Sequence, residues 1–249
     1  MLQYKKEHYL GENIMALVRL DKLIADSGLA SRREAKDLIK KGKVRVDNFI
    51  APNGEIKVDP EVSEIFIDGE KIDYKQNRYI MMNKPNGVLS ATEDAGQETV
   101  IDLLPESLRK QELFPVGRLD KDTTGLLLIT NDGSFSHSII TPKRHVPKVY
   151  RAAVTGILDE SDIRAFEEGI TLSDGTKCMN AYLSIERPSV GLATVYEGKY
   201  HQVKRMFASR GKHVTALHRL SIGGLCLDEK LKPGEFRELT EEEKKKIFE

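Results

Sequence analysis

Residues 117–133 read GRLDKDTTGLLLITNDG and join a polar loop to an apolar strand. The run 125–130 has the length and composition of a buried strand, and the turn residues 131–133 end it. Loops held by a rigid strand often carry reactive side chains, and the flanking glycines let a ligand approach the backbone closely. The loop is therefore a candidate site, with Asp120 and Asp122 as its carboxylates. On composition alone, a turn in which these aspartates only cap backbone amides is the favoured alternative.

The sequence around this loop predicts a domain of mixed strands and helices. Asp159 is a suitable N-cap for a helix that ends before Gly169. A second helix is predicted over 200–210, with Val203, Met206 and Phe207 as its apolar stripe. Strands are predicted over residues 78–82, 125–130, 149–155, 181–186, 192–197 and 221–227.

A basic unit of helices and a strand precedes this domain. Apolar residues recur at helical spacing over 20–24, and Ser31 and Glu34 have the spacing of a capping box that begins a second helix. Residues 44–46 then alternate as a strand does. The outer surface of this unit collects cations, as expected for a face that binds phosphates. They are Arg19, Arg32, Arg33, Lys36, Lys40, Lys41, Lys43 and Arg45.

The charge is balanced in total but not in distribution. The chain has 39 basic and 39 acidic residues, yet residues 198–219 carry six lysines or arginines and no acid. Separate basic patches on a neutral protein indicate a polyanionic partner, although ordinary solvated helix faces would produce similar counts. No apolar run reaches the length of a membrane span, and no secretory signal is recognisable. Cys178 and Cys226 are far apart, which is typical of reduced thiols in a cytoplasmic protein.

The first unit resembles a known RNA-binding module. The stretch RLDKLIADSGLASRREAKDLIKKGKVRVD, residues 19–47, resembles the S4 domain, which sets such a helix pair against structured RNA. We therefore expect a floppy tail over residues 1–15, an S4-like domain and linker over 16–77, and a catalytic domain over 78–249.

The second domain resembles the pseudouridine synthases, in the branch that acts on bacterial ribosomal RNA. The resemblance rests on an ordered set of motifs over nearly the full chain: NKPNGVLSAT, GRLDKDTTGLLLITNDG, HSIITPKRHVPKVYRAAVTG and EGKYHQVKRMFASRGKHVTALHRLSIGG. It implies an α+β fold, an S4-like module followed by a core with a mixed, mostly antiparallel sheet. Among ribosomal branches the last motif is most similar to the enzymes that act on 16S RNA.

The reaction that the resemblance implies needs a carboxylate and no cofactor. Uridine becomes pseudouridine when the N1–C1′ bond breaks, the uracil turns and C5 bonds to the sugar. Nothing is oxidised, and the six histidines show no metal-ligand spacing, so no metal or cofactor is expected. The carboxylate must be ionised near C1′, and a neighbouring cation favours that form.

The resemblance assigns roles to particular residues. The aspartate matching Asp120 is catalytic, Lys204 pairs with it, Tyr150 packs on the target base and Arg118 helps to displace that base. A salt bridge or phosphate contact is the alternative for Lys204, and a core position is the alternative for Tyr150. The remaining expected substrate contacts are Lys84, Thr124, Lys148, His201, Gln202 and Arg205. Loop positioning is the alternative for Lys84, and a polar pair at the helix start is the alternative for His201 and Gln202.

The sequence thus predicts an enzyme that isomerises a uridine of ribosomal RNA. The expected partner is 16S RNA, free or partly assembled, bound by a monomer in the cytoplasm. The alternatives are a synthase acting on 23S RNA, a non-catalytic RNA-binding assembly factor and an enzyme that releases free uracil.

Overall fold

The structure, a computed structural model, describes residues 17–60, 62–72, 74 and 77–249. The chain divides into two compact units, Met1–Gln76 and Asn77–Glu249. The tail predicted over residues 1–15 lies outside the described residues. In the described part of the chain, no helix is long and apolar enough to cross a membrane.

The first unit packs two helices with short strands around its own core. Strands β3, β2, β5 and β6 form one sheet in that order, and β1 pairs with β4. The elements are β1 Val18–Arg19, α1 Leu20–Asp26, α2 Arg32–Lys40, β2 Val44–Val46, β3 Phe49–Ile50, β4 Lys57–Val58, β5 Ile65–Ile67 and β6 Glu70–Lys71.

Helix α2 begins with the predicted capping box. The Ser31 side chain accepts from the backbone N–H of Glu34, and the Glu34 carboxylate accepts from the backbone N–H of Ser31. These bonds satisfy two backbone donors at the helix start. The inward stripe of α2 contributes Ala35 and Ile39 to the core, so the polar outer face remains exposed.

The second unit is built on one large sheet. Its strand order is β11-β12-β10-β13-β9-β7-β15, with β14 added beside β13 and β8 beside β9. The elements are β7 Tyr79–Lys84, α3 Glu106–Arg109, β8 Phe114–Pro115, β9 Thr123–Thr130, α4 Gly133–Ile140, a 3-10 turn Pro142–Arg144, β10 Lys148–Val154, α5 Glu160–Glu168, β11 Tyr182–Arg187, β12 Val190–Val195, α6 Gln202–Ser209, β13 Val214–Ile222, β14 Leu225–Cys226, β15 Phe236–Glu238 and α7 Glu241–Lys246.

The sheet confirms the predicted α+β class with a mixed, mostly antiparallel sheet. Every strand pairing in it is antiparallel except that of β13 with β9. Apolar side chains on the two faces of the sheet form separate clusters, one of which includes Leu126 and Leu128 and another Leu127 and Ile129. The buried-strand prediction for 125–130 is thereby confirmed.

One sequence prediction was wrong in the bounds of its element. The strand expected over 221–227 is two strands, because Gly223 takes a positive φ of 57° and reverses the chain between β13 and β14. Residues 131–133 end β9 as predicted, and helix α4 follows at once, because the Asp132 side chain accepts from the backbone N–H of Phe135 and caps the helix.

Strands β9 and β13 approach closely at Gly125, just after the polar loop. Gly125 has a φ of 99°, and a Cβ added there would lie 2.3 Å from the carbonyl oxygen of Arg219. Both the backbone conformation and the space therefore require glycine. The parallel pairing begins at Thr123, where the loop joins the sheet, and this contact fixes its last pair, Gly125 with Arg219.

We expect Gly125→Ala to lower the free energy of unfolding by about 3 kcal/mol, from overpacking and backbone strain together. Urea denaturation measures the change. Gly133→Ala is the matched control, because Gly133 has no atom within 4 Å of its added Cβ and lies in a helix. Equal stability of the two variants would contradict the close strand approach.

Candidate active site

The loop that carries Asp120 is fixed at both ends. The backbone N–H of Leu119 donates to the Ser90 hydroxyl at 3.1 Å, and the Leu119 side chain is buried. The N–H of Thr123 donates to the carbonyl of Asp120 at 3.0 Å and closes a turn. The Asp120 carboxylate stays about one quarter exposed, so it can meet a ligand while its backbone is held.

Lys84 holds the same loop from inside. Its ammonium donates to the carbonyls of Pro85, Lys121 and Thr123 at 3.0, 3.1 and 3.0 Å. The side chain is fully buried, and burial lowers its pKa to about 8. All three of its donors face backbone carbonyls of the protein, which favours the loop-positioning alternative for Lys84, and a contact with substrate stays a prediction.

Lys204 bridges the two carboxylates of the loop. Its ammonium lies 2.9 Å from Asp120 Oδ2 and 2.5 Å from Asp122 Oδ1. Burial lowers the pKa of Lys204, but the hydrogen bonds to Asp122 and Asp120 outweigh it and raise the pKa above its usual value. The Lys204 hydrogen bond also holds the pKa of Asp122 below its usual range. The Asp122 carboxylate and the Lys204 ammonium thus stabilise each other in their charged forms.

Helix α6 places Lys204 as its sequence pattern predicts. Val203, Met206 and Phe207 are buried, and Lys204 lies at the margin of that stripe with about one fifth of its side chain exposed. The helix begins later than predicted, at Gln202, because His201 takes a left-handed φ of 47°. This geometry sets His201 Nε2 3.4 Å from Asp120 Oδ1.

A cleft of about 890 Å³ opens beside the Asp120 carboxylate. Tyr150, Lys148, Arg118 and His201 line it together with Asp120. The structure therefore brings five of the predicted site residues to one cavity. Lys148 and Arg118 differ in depth, since Lys148 is 8% exposed and Arg118 is on the open surface.

Three residues that were predicted to contact the substrate form hydrogen bonds or ion pairs with other residues of the protein. The Thr124 hydroxyl lies 2.8 Å from His218 Nδ1. The Arg205 guanidinium pairs with Asp174 at 2.6 Å. Neither Thr124 nor Arg205 lines the cleft, and their contacts with substrate stay predictions.

The third of these, Gln202, is buried in a hydrogen-bond network. Its side-chain amide donates to Glu197 at 3.0 Å and accepts from the backbone N–H of Lys199 at 2.9 Å. Gln202 therefore holds the segment 197–199 on one wall of the cleft. These bonds favour the alternative of a polar pair at the helix start, and a contact of Gln202 with RNA stays a prediction.

Sequence interpretation missed four residues that line the cleft: Glu197, Lys199, Tyr200 and Arg219. The ring of Tyr200 is 76% exposed and stacks on His201 with ring centres 3.9 Å apart. Arg219 lies on β13 opposite Tyr150 of β10. The sequence signal that could have identified Arg219 is the alternation of inward and outward side chains along β13. This alternation places Arg219 on the same face of the strand as Leu217.

The basic residues of the first unit are organised by one buried carboxylate. Asp21 is fully buried and lies 2.9, 3.6 and 3.9 Å from Arg19, Arg32 and Lys36. The hydrogen bond from Arg19 holds the pKa of Asp21 below its usual range.

The other five cations of this unit are arranged differently. Lys43 pairs with Asp68, and the Arg45 guanidinium stacks 3.7 Å above the centre of the Phe66 ring. The side chains of Arg33, Lys40 and Lys41 are exposed to solvent. This unit thus presents an exposed basic surface along α2 and its C-terminal end.

Two family models match the chain. Residues 78–209 match the RNA pseudouridylate synthase model, and residues 18–61 match the S4 domain model. The chain belongs to the RNA pseudouridylate synthase family, a family of isomerases, and carries an S4 domain ahead of the synthase region.

Curated relatives match nearly the whole chain. It is 47% identical to an uncharacterized RNA pseudouridine synthase, YtzG, of Bacillus subtilis, over 91% of this chain and 96% of that protein. It is 43% identical to ribosomal small subunit pseudouridine synthase A of Vibrio cholerae, over 93% and 100%. The corresponding protein of Escherichia coli is 42% identical, over 91% and 98%.

A solved structure supports the fold. The crystal structure of a pseudouridylate synthase superposes with a TM-score of 0.66 at 37% identity. The match covers 92% of this chain and 99% of that one.

We expect Lys84→Met to loosen the loop that carries Asp120. Three carbonyls, of which that of Thr123 is buried, would lose the Lys84 donor, which costs about 2 kcal/mol of unfolding free energy. Thermal unfolding measures this change, and turnover by the folded fraction should also fall because Asp120 is less well held. Lys110→Met is the control, since Lys110 forms a surface pair with Glu106. An unaltered melting temperature for Lys84→Met would contradict the assigned role.

Proposed function

We propose that this protein isomerises a specific uridine of 16S ribosomal RNA to pseudouridine, with Asp120 as the essential carboxylate. The observation that carries the proposal is the pairing of Asp120 with Lys204 at 2.9 Å beside a cleft that Tyr150 also lines. The names of the relatives from Vibrio cholerae and Escherichia coli favour the small-subunit RNA over 23S RNA as substrate.

Asp120 is placed for chemistry at the sugar or the base. Its carboxylate is partly exposed, and Lys204 forms a direct ion pair with it. An ionised carboxylate can bond to C1′, add to the base or remove a sugar proton. Each of these routes loosens the N1–C1′ bond without a cofactor.

The target nucleotide must leave its stack to reach this carboxylate. Tyr150 offers an aromatic surface in the cleft, and stacking on such a surface contributes about 1–3 kcal/mol per base. Arg118 is exposed on the cleft and bears a positive charge that can fill the vacated position in the RNA.

The S4 domain supplies a second contact with RNA. The exposed surface of α2 and its C-terminal end carries Arg33, Lys40 and Lys41, which suit the phosphates of a folded RNA. We propose that a monomer binds free or partly assembled ribosomal RNA, in which the target nucleotide is still accessible.

We expect Asp120→Asn to abolish conversion while RNA binding persists. The amide cannot act as a nucleophile or base, so release of tritium from 5-tritiated uridine in a 16S transcript should fall by about 1,000-fold or more. A filter-binding assay on the same transcript measures affinity, and a 23S transcript tests the choice of RNA.

Asp122→Asn is the matched control for this experiment. It removes the other carboxylate that contacts Lys204, but that side chain is 70% exposed. Tritium release should stay within about tenfold of the unmodified protein, because the Asp120–Lys204 pair remains. Equal release by Asp120→Asn and the unmodified protein would overturn the role of Asp120. Isomerisation leaves the mass of the RNA unchanged and alters the nucleoside, whereas loss of uracil lowers the mass. Measuring both the mass and the nucleoside therefore separates the two reactions.

We expect replacement of Arg33, Lys40 and Lys41 by glutamine to weaken RNA binding and flatten its salt dependence. The slope of log affinity against log salt should fall by about 0.7 for each phosphate of single-stranded RNA that the variant no longer neutralises. The control replaces three exposed lysines of the second unit, Lys110, Lys230 and Lys245, and has the same change in net charge. If both triple variants show the same slope, the α2 surface does not bind phosphate.

A further inference from the structure

Arg219 is a buried cation that keeps an unused donor in the cleft. The residue is only 4% exposed, yet it lines the cavity beside Asp120. Its Nε donates to the carbonyl of Leu126 at 2.7 Å, and its Nη1 donates to the Tyr150 hydroxyl at 3.3 Å. Its Nη2 is buried and has no hydrogen-bond partner among the residues that the structure describes. Leaving such a donor unsatisfied costs free energy, so it marks a place for an acceptor.

Lys148 brings a second buried positive charge to the same cavity. Its ammonium donates to the carbonyls of Ile139 and Val146 at 3.0 and 2.8 Å, and an ammonium has three donors. Burial first, and the charge of Arg219 second, lower the pKa of Lys148 to about 8. Two neighbouring cations in a buried position favour an acceptor that carries negative charge.

The carboxylates of this cavity are engaged elsewhere. Asp120 pairs with Lys204, and Glu197 pairs with Lys199 and accepts from Gln202. The third carboxylate, that of Asp94, accepts from the backbone N–H groups of Gly96 and Gln97. Within the described part of the chain, none of the three forms an ion pair with Arg219 or Lys148. The cleft therefore has a negative group on one side and uncompensated positive groups on another.

We propose that Arg219 and Lys148 form an oxyanion site for a carbonyl oxygen of the uracil ring, occupied most strongly after the ring leaves the sugar. The proposal rests on the proposed function. Arg219 is hydrogen-bonded to Tyr150, so a base that packs on Tyr150 has its carbonyl oxygens close to the free donor.

The chemistry places negative charge on these oxygens in each route. When N1–C1′ breaks, its electron pair leaves with the base, and the anion is shared between N1, O2 and O4. C1′ is then satisfied either by a bond to the carboxylate or by loss of a sugar proton to it. When the carboxylate instead adds to C6, the ring electrons move toward C5 and O4. Donors that meet this charge lower the barrier more than they strengthen binding of the neutral base.

A phosphate group suits this position less well. Arg219 and Lys148 are each less than one tenth exposed, whereas the backbone of an RNA runs over a surface. Arg118 and Lys121 are exposed cations on the same cleft and are better placed for phosphates. The depth of the pair thus favours the base over the backbone.

The test compares Arg219→Gln and Lys148→Met with the unmodified protein on a 16S transcript. Single-turnover pseudouridine formation should slow by about 100-fold for Arg219→Gln, as for removal of one oxyanion donor. RNA affinity should change by less than about threefold, because the charge arises only during the reaction. Arg219→Lys should recover part of the rate, since it keeps a positive charge. Arg164→Gln is the control, because it removes an exposed arginine on α5 that does not line the cleft.

A substrate change keeps the proposal testable if a variant fails to fold. Transcripts with 2-thiouridine or 4-thiouridine at the target replace one carbonyl oxygen by sulfur, a weaker acceptor. The unmodified protein should be slower on one of them, and Arg219→Gln should show no further decrease in rate on that substrate.

Each contrary outcome points to a different error. Equal rates on uridine and both thiouridines would overturn the oxyanion site, as would a decrease in affinity alone, which indicates that the pair binds phosphate. If the unmodified protein forms no pseudouridine in any ribosomal transcript, the proposed function itself fails, and the two failures are thus distinguishable.

Discussion

The parallel contact between β9 and β13 determines where the reactive loop can lie. The backbones meet at Gly125 and Arg219 so closely that a methyl group would collide with the Arg219 carbonyl. The same contact brings the end of the Asp120 loop beside β13, whose preceding helix α6 carries Lys204. A carboxylate and an ammonium from distant parts of the sequence thereby form an ion pair at 2.9 Å. Such a pair persists only if both backbones are held in place. In the loop, a hydrogen bond from Lys84 to a backbone carbonyl and one from a backbone N–H to Ser90 do this.

The buried lysines show how a polar site is built inside an apolar sheet. Lys84 and Lys148 each cost free energy to bury, and each recovers part of it through hydrogen bonds to backbone carbonyls. Lys84 uses three acceptors and becomes part of the scaffold. Lys148 has two acceptors and stands next to Arg219, so its burial is less completely compensated. A lysine whose burial is fully compensated by hydrogen bonds suits a structural role. A lysine whose burial is only partly compensated suits a site that is stabilised when a ligand binds.

The spacing of residues predicted local structure, such as helix starts and buried helix faces. The family motifs predicted which side chains from distant parts of the sequence contact each other. The capping box of α2 and the buried stripe of α6 follow from spacing alone, because each involves neighbours within two helical turns. The pairing of Asp120 with Lys204 came from the resemblance. The motifs gave no information on the protein partners of Thr124 and Arg205, which are His218 and Asp174, so the substrate contacts of these two residues stay predictions. Arg219 was missed since its environment depends on three strands that are distant in sequence.

The charges beside Asp120 have a consequence for the orientation in which a nucleotide arrives. Lys204 contacts both Asp120 and Asp122, and the buried Lys84 also interacts electrostatically with both, so two carboxylates face two ammonium groups. These charges balance and offer a phosphodiester no net attraction, whereas the exposed Arg118 and Lys121 on the same cleft attract it. The charge distribution thus acts as an orientation filter: it favours a nucleotide that advances with its base ahead of its phosphates.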